Sequence, residues 1–252
     1  MTAPARAIVL AAGLGLRMRP LTERIPKPLV PIAGRTLLDR ALDRLAAAGV
    51  ETVVVNTHHL AELIEHHLAS RHRPHVILSH EPELLETGGG IAKALPLLAP
   101  GPFYVINSDA LWLDGKRDTL LRLAQAWDED RMDGLLLLAP RDAVAGYDGR
   151  GDFHLAAEGR LRRRQADGEA PYLYIGIQLL SARLFDGVKV EAFSLNRLWD
   201  KALAAGRLFG LVHEGRSFDV GTLAGIALAE AALARARSDE GPPVGSTSGA
   251  AR

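Results

Sequence analysis

The chain has 252 residues, no cysteine, and equal numbers of basic and acidic side chains, 30 of each. The missing cysteines exclude a disulfide framework, a thiolate metal centre and a Cys nucleophile. Zero net charge argues against a broad nucleic-acid-binding face but leaves room for a local basic pocket. The longest dense apolar run, 135–139, is far short of the ~20 residues that cross a bilayer, so no membrane partner is expected. With no leader-like apolar segment at the start, the reading is cytoplasmic.

The apolar run 7–12 followed by Gly13 predicts a buried parallel strand feeding a glycine-rich loop. Pro20, Pro26, Pro28 and Pro31 keep the next stretch extended. Thr36 is placed to cap a helix over 37–48, with Leu38, Ala41, Leu42 and Leu45 as its apolar stripe and Gly49 as its stop. A β-branched strand over 51–56, a helix over 59–70 and a strand over 75–79 follow. A helix over 90–98 is opened by three glycines, and a fourth strand over 103–106 ends at Asn107, Ser108 and Asp109. This alternation predicts an α/β fold, a doubly wound, Rossmann-like, mostly parallel sheet flanked by helices. The second half is less regular. It reads as a helix over 119–127, a strand over 133–139, hairpins or loops over 146–168 and a strand over 172–180. A helix over 195–205, a strand over 209–213 and an alanine-rich helix over 222–236 complete it. One domain over 1–237 is expected, with a polar tail over 238–252 read as disordered.

The strongest local signal is Leu10-Ala11-Ala12-Gly13-Leu14-Gly15-Leu16-Arg17-Met18. A glycine-rich turn after a strand exposes N–H groups that hold phosphate oxygens. The dinucleotide fingerprint would need glycine where Met18 stands. Instead Arg17 follows the loop, and Lys27 stands between Pro26 and Pro28, where an ammonium is fixed and suits developing phosphate charge. Asp109 and Asp219 stand at strand ends and together suit Mg²⁺, although Asp219 or Thr222 is also placed to cap the last helix. His59, Glu62 and His66 have helical spacing, yet read better as surface residues than as a zinc face.

Taken in order, these motifs, with Pro-Lys-Pro-Leu-Val-Pro at 26–31, Glu-Thr-Gly-Gly-Gly at 86–90, Asn-x-Asp at 107–109 and Asp-Val-Gly-Thr at 219–222, resemble the sugar-1-phosphate nucleotidyltransferases over residues 6 to 236. The resemblance implies a GT-A-like fold with a small sugar-binding lobe, and transfer of a nucleotide to a sugar 1-phosphate with release of pyrophosphate. It implies that Ala11, Ala12 and Gly13 face the nucleotide, that Gly15 and Arg17 hold the triphosphate, and that Lys27 neutralises the α-phosphate. Thr87, Gly88 and Gly89 would line the base. Asn107 and Asp152 would touch the sugar, and Asp109 and Asp219 would bind Mg²⁺, with Lys27, Arg17 and Asp109 as the catalytic set. The short chain, the glycine triplet and Gly-Arg-Gly-Asp-Phe at 149–153 are most similar to the uridylyltransferases of peptidoglycan recycling. That similarity implies UTP and N-acetylmuramate α-1-phosphate as substrates. The alternatives are GTP with mannose 1-phosphate, or a non-catalytic nucleotide-sensing module. Two departures stand out. Ser108 precedes Asp109 where many relatives have glycine, and the Glu-Lys-Pro of many sugar lobes is replaced by Glu158-Gly159-Arg160-Leu161-Arg162-Arg163-Arg164. These arginines read as a solvated basic hairpin, with a carboxylate such as a lactyl group as the competing partner. A monomer or homodimer is expected.

Overall fold

A computed structural model describes residues 3–239 of the chain. Strand β1 (Arg6–Leu10) lies at the centre, and its Ala7, Ile8 and Val9 are fully buried. A continuous apolar run suits this position because a central parallel strand is covered on both faces. Burying each large aliphatic side chain here is worth about 1.5–3 kcal/mol. Three short 3₁₀ turns (Leu16–Met18, Leu21–Glu23, Lys27–Leu29) and the small ribbon β2 (Pro31–Ile32) with β3 (Arg35–Thr36) carry the proline-rich segment. Helix α1 (Leu37–Ala47) starts where Thr36 Oγ1 accepts the Asp39 N–H at 3.0 Å, a cap worth about 1 kcal/mol.

Next come β4 (Thr52–Thr57), α2 (Ala61–Leu68), β5 (His75–His80), α3 (Glu86–Leu98) and β6 (Phe103–Asn107). Strands β6, β1, β4 and β5 are parallel neighbours in that order. Strand β7 (Ala110–Leu113) follows a two-residue turn, and Asp118 caps α4 (Thr119–Ala126). The second half adds β8 (Gly134–Pro140), β9 (Val144–Ala145), the hairpin of β10 (Phe153–Leu155) and β11 (Leu161–Arg163), and β12 (Tyr172–Leu180). Helix α5 (Asn196–Ala204), β13 (Leu208–Val212), β14 (Arg216–Asp219) and α6 (Leu223–Asp239) complete the described chain.

Strand β12 joins the halves, antiparallel to both β6 and β8. Its far end, Ile177–Leu180, pairs with β6, while at its start Tyr172 pairs with Phe153 of β10. Between these contacts it bulges. Its register with β8 shifts between Tyr174 and Gln178, and Gly176 turns to φ +81°. A non-glycine residue is disfavoured there, and a Cβ would also stand 3.1 Å from Ala110 Cβ. The bulge opens a gap on the edge of β12 beside Asn107. A second sheet, β7–β14–β9, sets Asp219 opposite Ala110.

The alternating first half and the exact span of the strand at 172–180 agree with expectation. Four differences stand out. The glycine triplet does not precede its helix; α3 begins at Glu86, so Gly88, Gly89 and Gly90 are its third to fifth residues and pack closely. Strands β7 and β14 were not expected, because four residues with no long apolar run give little periodic signal. The last helix runs to Asp239, past the boundary expected at 237, and the rest of the expected tail lies outside the described residues. His59 lies before α2, with its ring nitrogen 3.0 Å from the Thr22 carbonyl. Among the described residues no group of three such ligands could hold a metal, and no helix is long and apolar enough to cross a membrane.

Candidate active site

Three cavities meet at the carboxyl ends of β1 and β6, where open α/β sheets bind their ligands. The first, about 530 Å³, is walled by Ala12, Gly13, Gly15, Arg17 and Lys27 on one side and by Thr87, Asn107 and Asp109 on the other. The two loop glycines have different causes. Gly15 sits at φ +63°, and a Cβ there would meet Thr22 Cγ2 at 2.8 Å, so the turn requires it. Gly13 has an ordinary backbone, and a Cβ would meet nothing within 4 Å. The fold does not need glycine at 13, and its bare backbone leaves room for a ligand to approach.

Ala11 lies one layer back. Its side chain is buried, and its N–H donates to Asn56 Oδ1 at 2.7 Å. Asn56 Nδ2 in turn donates to the fully buried Glu81 at 2.7 Å, and Glu81 Oε2 accepts the Leu85 N–H at 3.0 Å. Sequence reasoning missed Asn56 and Glu81. The one available signal was a polar residue closing the apolar strand Val53-Val54-Val55. This relay ties the start of the loop to the segment leading into α3.

Lys27 is held by its flanking prolines and by the 3₁₀ turn that begins with it. Its Nζ donates to Asp109 Oδ2 at 2.5 Å. Arg17 is exposed and has no hydrogen-bond or ion-pair partner among the described residues. Its guanidinium lies over Gly221, where a Cβ would stand 2.9 Å from both terminal nitrogens and from Asp219 Oδ1. Thr87 lines the cavity, and its Oγ1 accepts the Leu195 N–H at 2.8 Å. Gly88 and Gly89 are buried behind it and both donate to the Phe193 carbonyl, at 2.9 and 3.3 Å. Their bareness admits Phe193 and the Glu191 carbonyl, so close packing explains these glycines rather than the base lining expected of them.

The second cavity, about 370 Å³, shares Leu10, Thr87, Asn107 and Ser194 with the first. Its far wall comes from α5 and the gap in β12. Asp152 Oδ2 accepts the Tyr174 N–H at 3.0 Å, doing for that amide what a ladder partner does elsewhere. Burial pushes the Asp152 carboxyl above its ordinary value, against the opposing effect of that hydrogen bond and of Arg164 and Arg163. Trp199 stands edge-on to Tyr174, centroids 4.9 Å apart, and its Nε1 donates to Gln178 at 2.9 Å. The Tyr174 hydroxyl is buried; Gln178 lies beside its oxygen, and no acceptor for its proton is found among the described residues. Burial and then the Asp109 charge raise its phenol well above the ordinary range, so it is a neutral donor. A donor left over beside a cavity is open to a partner entering that cavity.

The third cavity, about 240 Å³, contains Arg17, Asp109 and Asp219 and is bordered by Asn107 and Tyr174. Asn107 lines all three cavities. The pairing of Asp219 with Ala110 brings the two carboxylates to adjacent positions across the strands. Asp219 Oδ1 accepts the Gly221 N–H at 2.9 Å, while Thr222 Oγ1 accepts the Gly225 N–H at 3.1 Å. Thr222 therefore caps α6 and leaves an Asp219 oxygen for other work. Two hard carboxylate donors facing a shared cavity, with room left for phosphate oxygens, fit a Mg²⁺ ion.

Residues 7–168 match the family model described as the MobA-like NTP transferase domain. The chain is 44% identical to an N-acetylmuramate alpha-1-phosphate uridylyltransferase of Caulobacter vibrioides, over 93% of this chain and 99% of that protein. It is 34% identical to a protein of the same name from Neisseria meningitidis, over 90% and 97% of the two chains. Among solved structures, HddC of Yersinia pseudotuberculosis superposes with a TM-score of 0.74 at 22% identity, over 91% of this chain and 99% of that one, a likeness of fold.

Proposed function

The chain belongs to the MobA-like NTP transferases and, within them, to the sugar-1-phosphate nucleotidyltransferases; from that premise we propose that it joins UTP to N-acetylmuramate α-1-phosphate, releasing pyrophosphate. The observation that carries the reaction is the convergence of three cavities on Asn107, beside Lys27, Asp109, Arg17 and Asp219. The near-full-length likeness to the Caulobacter enzyme supports this choice of base and sugar.

In this reading UTP occupies the first cavity, its phosphates lying along the bare backbone of Gly13 and reaching Arg17. The sugar occupies the second cavity, with Asp152 accepting from its hydroxyls and the Tyr174 hydroxyl donating to it. The sugar phosphate then lies at Asn107, in line with the α-phosphorus of UTP. Its oxygen is already anionic, so no side chain has to remove a proton. Lys27 neutralises charge building on the α-phosphate, and Arg17 steadies the departing pyrophosphate; positioning and charge stabilisation do the catalysis. Asp109 and Asp219 would hold Mg²⁺, which when bound supplies further neutralisation of the triphosphate. Asp109 would then serve both Lys27, which already donates to it, and the ion. The product would serve the recycling of peptidoglycan sugar.

The test is pyrophosphate release with Mg²⁺, offering UTP, GTP, dTTP and CTP against the 1-phosphates of N-acetylmuramate, N-acetylglucosamine, glucose and mannose. Release with UTP and the muramate substrate is expected. Preference for GTP with mannose 1-phosphate would overturn the specificity and keep the chemistry. Nucleotide binding without release from any pair would favour a sensing module.

A further inference from the structure

Four arginines stand between residues 160 and 164, and the fold gives them four different surroundings. Arg160 lies over the Phe209 ring, 6.0 Å from its centroid. Arg162 points into solvent on the other face of β11. Arg164 is spent on backbone, donating to the carbonyls of Gly151, Gln165, Ala166 and Gly168 at 2.9–3.1 Å. Arg163, paired in register with Phe153, lines the second cavity. The solvated hairpin expected from the sequence therefore describes Arg162 and not Arg163.

Arg163 is held from behind and from the side. Its Nε donates to Asp200 Oδ1 at 2.6 Å and its Nη2 to Asn196 Oδ1 at 3.0 Å. Its guanidinium carbon stands 5.5 Å from the Phe153 ring centroid and 5.8 Å from that of Trp199. Nη1 has no partner among the described residues, so two hydrogens of a fixed, permanently charged group remain for a ligand. Side-chain entropy that binding would otherwise cost is already lost. The other charged side chain lining this cavity is Asp152. Arg163 offers an acid a positive partner, whereas hydroxyls suit the Asp152 carboxylate. The two charges together orient a sugar that carries an acid on one side.

We propose that Arg163 is the residue that selects a carboxylate-bearing sugar, its Nη1 donating to the acid of the lactyl ether that distinguishes N-acetylmuramate from N-acetylglucosamine. The inference rests on the reading of the second cavity as the sugar site and of muramate as the sugar. A sugar without the acid gains nothing from Arg163, which stays with Asp200 and Asn196.

The experiment compares kcat/KM with UTP for the α-1-phosphates of N-acetylmuramate and N-acetylglucosamine, in wild type, Arg163→Gln, Arg163→Lys and Arg162→Gln. A charge-assisted hydrogen bond is worth roughly a ten- to hundred-fold factor. Arg163→Gln is expected to lose about that much with the muramate substrate and to keep the N-acetylglucosamine rate within about twofold. Arg163→Lys should fall between, and Arg162→Gln should match wild type. Equal losses with both sugars would make Arg163 structural and overturn the inference, as would an unchanged preference. If Arg163→Gln does not fold, Arg163→Lys carries the test, its preference falling while its melting temperature holds. A wild type that ignores the muramate substrate refutes the sugar assignment itself, and the inference with it.

Discussion

The two sides of the active site are assembled in opposite ways. The side proposed to hold the phosphates comes from one stretch, Ala11 to Lys27, and offers backbone N–H groups, two glycines and two cations. The opposite wall is gathered from Asp152, Arg163, Tyr174, Gln178 and Trp199, on three separate elements and the loop before β10, and offers side chains. The first arrangement suits a triphosphate, the same in every nucleotide. The second suits a ligand whose substituents must be told apart. A backbone site leaves a contiguous trace in the sequence, while a wall of side chains leaves scattered ones.

Breaking the phosphate side should have the largest effect. Lys27→Ala removes the one ammonium fixed beside Asp109 and is expected to lower kcat by roughly 10²- to 10³-fold, as loss of a single charge-stabilising donor does. The melting temperature should barely move, because the Asp109 carboxyl, about one-third exposed, can be solvated once unpaired.

The two loop glycines sharpen the comparison. Gly13→Ala meets open space, so stability should hold while the KM for UTP rises by an order of magnitude or more, about 1.4 kcal/mol per tenfold. Gly15→Ala, at φ +63° and against Thr22, should cost ~1–2 kcal/mol of stability in addition to activity. Thermal melts and steady-state kinetics on both variants check this. Loss of stability at 13 and not at 15 would reverse the assignment.

On the sugar side, Asp152→Asn should separate stability from function. Burial raises the Asp152 carboxyl above its ordinary value of 3.8. A raised value means that its contribution to stability is fully present below the ordinary value and is lost as pH rises through the folded one. On the high-pH side of that value the ionised carboxylate therefore opposes folding, and there the asparagine variant should melt slightly higher than wild type. The gain should shrink as pH falls through the carboxylate range. The same variant should lose sugar affinity. A lower melting temperature on that high-pH side would show that the Tyr174 N–H needs the charged acceptor.

This contrast also decides how much was legible in the sequence. The strand feeding the glycine loop, Thr36 as a cap, and Arg17 and Lys27 facing one cavity follow from local patterns. So does Asp152 at the hairpin, because a motif resemblance placed it there. Gly88 and Gly89 are ambiguous in the sequence, because close packing against Phe193 and the Glu191 carbonyl selects glycine as strongly as a ligand does. Asn56 and Glu81 were illegible because their partners lie far along the chain, 45 residues in the case of Ala11 and Asn56. Tyr174 and Arg163 reach the cavity through a bulge in β12 and the pairing of β11 with β10, and neither event has a sequence period. Strands of four residues such as β14 hide for the same reason, although β14 sets Asp219 beside the turn that carries Asp109.

The proposed direct attack of the sugar phosphate on the nucleotide is tested most directly by following oxygen. The sugar 1-phosphate would be prepared with ¹⁸O in its three non-bridging phosphate oxygens and turned over with unlabelled UTP and Mg²⁺, with both products read by mass spectrometry. Attack by the sugar phosphate on the α-phosphorus leaves all three labels in the UDP-sugar and none in pyrophosphate. Label in pyrophosphate or in water, or UMP released without a joined product, would contradict it.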